Sequence, residues 1–153
     1  MATVRTVTTG HSAAQTPWSL ITRDINMATE LSDIVRKLFD DLDRLDVDAV
    51  VERFAADVQA VEEIRRRWMR SRDELGDYFA QLKQSVSDIK SQLTDIHEIT
   101  WGDAGLVTCW LEQSYVLDGE AQHVSAPTTF VFRREDGAWK AVLAHSVPVP
   151  ESE

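Results

Sequence analysis

The chain has 153 residues, of which 43% are hydrophobic and 8% aromatic, a composition that suits one globular domain of ordinary size. Its formal net charge of −10 would repel a phosphate backbone, because proteins that bind nucleic acid offer basic surfaces that displace counterions. A single cysteine, Cys109, cannot form an internal disulfide, and no apolar run is long enough for a membrane-spanning helix. We therefore expect a cytoplasmic protein that binds neither nucleic acid nor membrane.

Residues 1–28 are expected to form a flexible N-terminal arm, and residues 29–150 a single folded domain. The arm is rich in threonine, contains Gly10 and Pro17, and has no sustained hydrophobic periodicity. It also lacks the apolar core of a secretory signal peptide.

Three amphipathic helices are predicted in the first part of the domain. Thr29 is the predicted cap of the first helix, Asp46 caps a shorter second one, and Ser71 with Glu74 has the spacing of a capping box that opens a third. Apolar residues recur at the helical period in each helix. They are Leu31, Ile34, Val35, Leu38, Phe39, Leu42 and Leu45, then Val47, Val50, Val51 and Phe54, then Leu75, Tyr78, Phe79 and Leu82.

Residues 58–70, between the second and third helices, give no clear local signal. A continuous helix from Val47 to Leu93 with coiled-coil pairing is an alternative, because apolar residues in this range also fit a heptad spacing. Two observations count against this alternative. Arg65 and Arg72 would lie in the apolar seam, and the capping box indicates that a new helix begins at Ser71. Separate helices are therefore favoured.

Beyond about residue 87 the hydrophobic pattern alternates, which predicts four antiparallel strands in a meander. Two Asp-Gly pairs, at residues 118–119 and 136–137, suit two-residue type I′ turns, so Leu117 should pair with Glu120 and Glu135 with Ala138. Another turn is expected at residues 102–105, with Trp101 paired to Leu106. Helices followed by a meander predict an α+β fold, with the helices on one face of the sheet.

This register gives the sheet two faces that are both largely apolar. One face is expected to carry Val107, Cys109, Leu111, Gln113, Tyr115, Val124, Ala126, Thr128, Phe130, Phe132, Ala141, Leu143 and His145. The other is expected to carry Ile99, Trp101, Leu106, Trp110, Val131, Val142 and Ala144. Because three helices can cover only one face, we expect a second copy of the chain to cover the other, in a homodimer.

Residues 129–146 carry the pattern T-x-V-F-R-R-x-D-G-x-W-K-x-V-x-x-H-S. Together with Phe54, Asp57 and Val58 upstream, and the helix opening at Ser71, this pattern resembles the SnoaL-like branch of the nuclear transport factor 2-like superfamily. That superfamily includes ketosteroid isomerase-like proteins and the association domains of calmodulin-dependent kinases. The resemblance implies a cone-shaped α+β barrel, in which three N-terminal helices pack on a curved antiparallel sheet around a pocket. It implies no single function, since enzymes and non-enzymes share the fold.

Two residues are candidates for acid/base catalysis. The resemblance places Glu62 where ketosteroid isomerases carry their carboxylate base, which moves a proton between carbon atoms of the ligand. His145, expected beside Thr128, could exchange protons near neutral pH. The resemblance also places Leu38 and Thr129 or Thr128 where those isomerases carry oxyanion donors, so steroid-type chemistry lacks its expected acids. A solvated glutamate and a structural histidine are the simpler interpretations.

An apolar ligand cavity is expected to be lined by Trp68, Tyr78, Gln113, Tyr115, Thr128 and Phe130. The arginines at positions 65–72 are most simply a surface ion-pair patch, and the spacing of the histidines does not suggest a metal site. We therefore expect a small, largely apolar organic ligand, with no cofactor and no metal. Binding could be accompanied by isomerase, cyclase or dehydratase chemistry, and the alternative is a non-enzymatic association module.

Overall fold

The computed structural model describes residues 30–62 and 65–150, and within these ranges the chain forms three helices and six strands. In chain order they are α1 (Glu30–Asp43), α2 (Val47–Glu52), β1 (Phe54–Glu62), β2 (Arg67–Met69), α3 (Arg72–Ser85), β3 (Val86–Trp101), β4 (Ala104–Leu117), β5 (Glu120–Glu135) and β6 (Ala138–Ser146). The predicted α+β class and its three N-terminal helices are confirmed. The predicted arm and the Thr29 cap lie outside the described residues.

The strands form one sheet in the order β2-β1-β6-β5-β4-β3. The predicted meander is present as β3 to β6, and two further strands extend it, because β1 runs parallel to β6 and β2 pairs antiparallel with β1. Phe54, which we assigned to the second helix, begins β1 instead. The alternative of a continuous helix from Val47 to Leu93 is wrong. Valines at positions 58 and 61 fit both a heptad and a strand, and pairing of β1 with β2 and with the distant β6 decides for the strand.

Both predicted type I′ turns are confirmed. Asp118 and Gly119 have φ angles of 50° and 85°, and Asp136 and Gly137 have φ angles of 49° and 79°. The strand pairs on either side follow the predicted register, Leu117 with Glu120 and Glu135 with Ala138.

The turn between β3 and β4 is tighter than predicted. Trp101 pairs with Ala104 rather than with Leu106, so the connection has two residues. Gly102 takes a φ angle of 56°, which a glycine adopts without steric cost, and this allows the strand to resume at once.

Bulges interrupt β3 and β6. In β3 the register shifts between Ser87 and Lys90 and again between Thr94 and His97. Asp88 and Asp95, which lie in these two gaps, have positive φ angles of 54° and 51°. Aspartate tolerates this left-handed conformation better than most residues, and each bulge bends its strand and increases its twist.

The bulge in β6 corrects our assignment of its side chains to the two faces. Phe132 pairs with Ala141, but the next residue of β5, Val131, pairs with Leu143. One extra residue reverses the alternation, so Leu143 and His145 leave the face predicted for them. Ala144 takes the opposite place from the one predicted, since it pairs with Phe130.

The helices pack on one face of the sheet, which we call the inner face, and the opposite face is the outer face. The core between helices and inner face includes Leu31 and Val35 of α1 and the phenylalanines of β5. The approach is close at Gly105, where an added methyl group would clash with Leu31 Cδ1. A residue without a side chain therefore lets α1 lie directly on β4.

Candidate functional site

A cavity of about 140 Å³ lies between the inner face and helices α1 and α3. Most of its wall is apolar, with leucines and aromatic rings from both helices facing Phe130 and Ala144 of the sheet. Gln113, Thr128, His145 and Ser146 supply polar groups from the sheet side. A smaller cavity of about 60 Å³ shares Leu42, Tyr78, Leu82 and Gln113 with it. An apolar hollow with a few polar groups is the usual form of a small-molecule site.

Five of the six side chains predicted to bind a ligand lie at these two cavities. Tyr78, Gln113, Thr128 and Phe130 line the larger one, and Tyr115 lines the smaller one. The parity of β4 and β5, which the two Asp-Gly turns set, accounts for four of the five.

Trp68 is not among the residues that line either cavity. Its side chain is 45% exposed, and its ring lies 6.1 Å from the ring of His145. The next residue of β2, Met69, is buried and lines the larger cavity instead. Alternation along a short strand therefore turns the tryptophan outward, while its neighbour faces the ligand space.

His145 lies at the margin of the larger cavity. The β6 bulge pairs it with Thr129, on the outer face, so it is not beside Thr128 as predicted. It also borders a second pocket, together with Val61 and Arg66. Its imidazole therefore borders the cavity and also lies beside the ring of Trp68.

Glu62 lies outside the larger cavity, in a separate cleft bordered by Arg65, Tyr78 and Ser85. Its buried carboxylate accepts a hydrogen bond of 2.7 Å from Arg67 Nε, and Arg65 Nε lies 4.0 Å away. The hydrogen bond to Glu62 raises the pKa of the Arg67 guanidinium above its usual value. This geometry is that of an ion pair, in which the carboxylate is already occupied by a cation.

A hydrogen-bonded chain that the sequence did not predict ends at Gln113. The carboxylate of Asp43, at the end of α1, accepts bonds from Ser91 Oγ at 2.6 Å and from the Ser91 backbone N–H at 2.9 Å. Gln113 Nε2 in turn donates to Ser91 Oγ at 2.9 Å. Ser91 and Gln113 are cross-strand partners, so the strand pairing brings them together. No sequence pattern places the end of α1 beside them.

Ser146 is a further polar residue at the cavity that sequence reasoning missed. The β6 bulge pairs it with Thr128, and the two hydroxyl oxygens lie 2.8 Å apart at the cavity wall. Thr128 is buried, and its hydroxyl also contacts the backbone oxygen of Ala126 at 3.2 Å.

Cys109 has the environment of a structural residue rather than of a reactive one. Burial raises the pKa of the Cys109 thiol to about 11, so it stays protonated and packs as a small apolar side chain. In the part of the chain that the structure describes, His, Cys, Asp and Glu side chains nowhere gather in threes as a metal site would require. Over the same residues, each helix is too short or too polar to cross a bilayer.

Solved structures show the same fold at low sequence identity. An NTF2-like family protein from Streptomyces avermitilis, provisionally assigned as a dehydratase, superposes with a TM-score of 0.74 at 23% identity, over 82% of this chain and 97% of that one. The CaMKII hub of S. rosetta gives a TM-score of 0.68 at 19% identity, over 80% and 96%. A ketosteroid isomerase-like protein from Erwinia carotovora gives 0.64 at 17% identity, over 74% and 88%. Identities this low establish the fold alone.

No curated protein shows a significant sequence match to the chain. The family model of the SnoaL-like domain matches residues 31–150, which include every helix and strand described above except the first residue of α1. The chain therefore belongs to the SnoaL-like domain family, as the motif at residues 129–146 predicted.

Proposed function

We propose that the protein binds a small, largely apolar organic molecule in the cavity between the inner face and helices α1 and α3. The observation that carries this proposal is an apolar cavity of about 140 Å³ with its polar groups on the sheet side. A cavity of about 150 Å³ lined by apolar side chains accepts a benzene-sized ligand. The volume therefore suits a compact ligand built around one ring.

The geometry supports binding better than proton transfer by Glu62. A general base must come within hydrogen-bonding reach of the proton that it removes. Glu62 lines a different cleft and is paired with Arg67. Isomerase, cyclase or dehydratase chemistry would fall to His145, which borders the cavity and whose imidazole can both donate and accept a hydrogen bond.

Filling the cavity tests the binding proposal. Ala144 lines the cavity and pairs with Phe130, so in the variant Ala144→Leu the longer side chain would occupy ligand space. We expect this variant to bind a one-ring probe such as 4-fluorophenol at least about tenfold more weakly, because the lost contact surface is worth 1.4 kcal/mol or more. Fluorine-19 NMR titration measures the affinity, and a thermal melt verifies folding.

Ala138→Leu is the matched control, since it makes the same substitution in the same strand at an exposed position next to the turn. It should bind the probe as the wild type does. Equal affinities in the wild type and in Ala144→Leu would contradict the location of the site.

We also propose that two copies of the chain associate through the outer face. Assembly is therefore the second candidate function. Ile99 and Trp101 of β3 are 52% and 59% exposed. Ile99 pairs with Leu106, which pairs with Val131, so an apolar stripe crosses three strands of the outer face. Exposed apolar stripes of this kind are typical of interaction sites.

Trp101→Glu is expected to weaken this association at least about thirtyfold, since a tryptophan at an interface commonly contributes 2 kcal/mol or more. Sedimentation equilibrium measures the dissociation constant. Gln84→Glu adds the same charge at an exposed position of α3, and it should leave the constant unchanged. A wild-type protein that is monomeric at high micromolar concentration would refute the proposed dimer.

A further inference from the structure

The hydrogen-bonded chain behind Gln113 has a fixed proton order. An ionised carboxylate can only accept hydrogen bonds, so the proton between Asp43 Oδ1 and Ser91 Oγ, 2.6 Å apart, belongs to Ser91. The second carboxylate oxygen is occupied by the Ser91 backbone N–H at 2.9 Å. The serine hydroxyl has one proton, and that proton points toward Asp43.

This order selects the orientation of the Gln113 amide. Because Ser91 Oγ has no further proton to give, it can only accept from Gln113, and the amide must turn its NH₂ group toward it. The two ends of a glutamine amide have nearly the same shape, so the hydrogen-bonding partner decides which end points where. The carbonyl oxygen Oε1 is therefore directed away from Ser91. Across residues 30–62 and 65–150, no donor reaches this oxygen.

The hydroxyl pair on the same wall has no fixed proton order. Thr128 Oγ1 lies 3.2 Å from the backbone oxygen of Ala126 and 2.8 Å from Ser146 Oγ, and the shorter contact is satisfied with either hydroxyl as the donor. Gln113 is therefore the cavity-lining group whose acceptor role follows from its hydrogen-bonding partner.

We propose that the ligand carries a neutral hydrogen-bond donor, a phenolic or alcoholic hydroxyl or an N–H group, which Gln113 Oε1 accepts. This inference rests on the proposed binding function and adds the chemical class of the ligand. A ligand carboxylate is disfavoured, because Asp43 places a negative charge behind the glutamine and the protein as a whole carries a net charge of −10. Asp43 and Ser91 act as positioning residues, since they determine the orientation of the amide without touching the ligand.

Two probes of nearly equal shape separate this proposal from simple apolar binding. 4-Fluorophenol can donate a hydrogen bond, whereas 4-fluoroanisole, its methyl ether, cannot. We expect the wild-type protein to bind the phenol about tenfold more tightly in fluorine-19 NMR titrations, the net effect of one hydrogen bond. A cavity without such an acceptor would favour the more apolar ether.

Asp43→Asn tests the proton order itself. The asparagine NH₂ group can donate to Ser91, which frees the serine proton for Gln113 Oε1 and lets the glutamine amide turn its NH₂ group to the cavity. The phenol-to-ether affinity ratio should then fall to about one or below. Asp40→Asn removes the same charge from an exposed position of α1 and should keep the wild-type ratio. Gln113→Leu removes the acceptor directly and should also abolish the preference.

The outcomes distinguish this inference from the proposal on which it rests. If neither probe binds the wild-type protein, the proposed binding function fails. If both probes bind in the cavity with equal affinity, the binding function stands and the donor requirement is refuted. A wild-type ratio retained in both Asp43→Asn and Gln113→Leu would refute the role of the hydrogen-bonded chain.

Discussion

Replacing Phe132 with alanine is expected to lower the free energy of unfolding by about 3–5 kcal/mol, the usual cost of removing a buried phenylalanine ring. Phe132 is fully buried on the inner face, where its ring stacks 6.2 Å from that of Phe130. Its partner in β6 is Ala141, which is also fully buried and too small to fill the space left behind. Equilibrium unfolding in urea, monitored by tryptophan fluorescence, measures the loss.

Val131→Ala is the matched control, because Val131 is the preceding residue of β5 and faces the outer side, where it is only half-buried. We expect it to cost about 1 kcal/mol in the monomer, as for an average substitution. Equal losses at the two positions would show that the assignment of faces along β5 is wrong. A loss at Val131 that grows with protein concentration would instead report an outer face covered by a second copy.

The meander could be predicted because its determinants are local. Each Asp-Gly turn sets a register within two residues, and the alternation of β4 and β5 then decides which side chains face the helices. β1 could not be predicted in this way. Its pairing with β6 joins Phe54 to Ala141, and these residues are far apart in the chain. No local pattern in the intervening sequence predicts the contact.

Bulges explain why the candidate site was predicted only in part. The two bulges of β3 contain Asp88 and Asp95, residue types that tolerate a left-handed backbone. The bulge of β6 falls at Val142, where no such residue marks it. One undetected extra residue there moved His145 to the outer face and brought Ser146 to the cavity wall.

Parity along β4 identified Gln113, but the sequence could not identify what holds it. Ser91 is its cross-strand partner, and Asp43 ends a helix that lies over both strands. The pairing depends on two bulges, and the position of the helix depends on packing against Gly105 and its neighbours. Polar groups that act through such tertiary contacts carry no local spacing by which to recognise them.

The start of α1 depends on a contact of the same kind. Glu98 of β3 accepts hydrogen bonds from the backbone N–H groups of Leu31 and Ser32 at 3.3 and 3.2 Å, and from Ser32 Oγ at 2.6 Å. These N–H groups belong to the first turn, where a helix cannot satisfy them itself and where its dipole favours a negative charge. A carboxylate distant in the sequence therefore caps a helix for which a local cap was predicted.

Glu98→Ala is expected to destabilise the protein by about 2–3 kcal/mol, because it leaves the hydroxyl and N–H of the buried Ser32 without their charged acceptor. Glu98→Gln keeps an acceptor but loses the charge, so its cost should be smaller. Glu120→Ala removes the same charge from an exposed position and should change stability by less than about 0.5 kcal/mol. Urea unfolding ranks the three variants, and hydrogen exchange at Leu31 and Ser32 locates the effect. Equal stability of Glu98→Ala and Glu120→Ala would show that the contact does not hold α1 on the sheet.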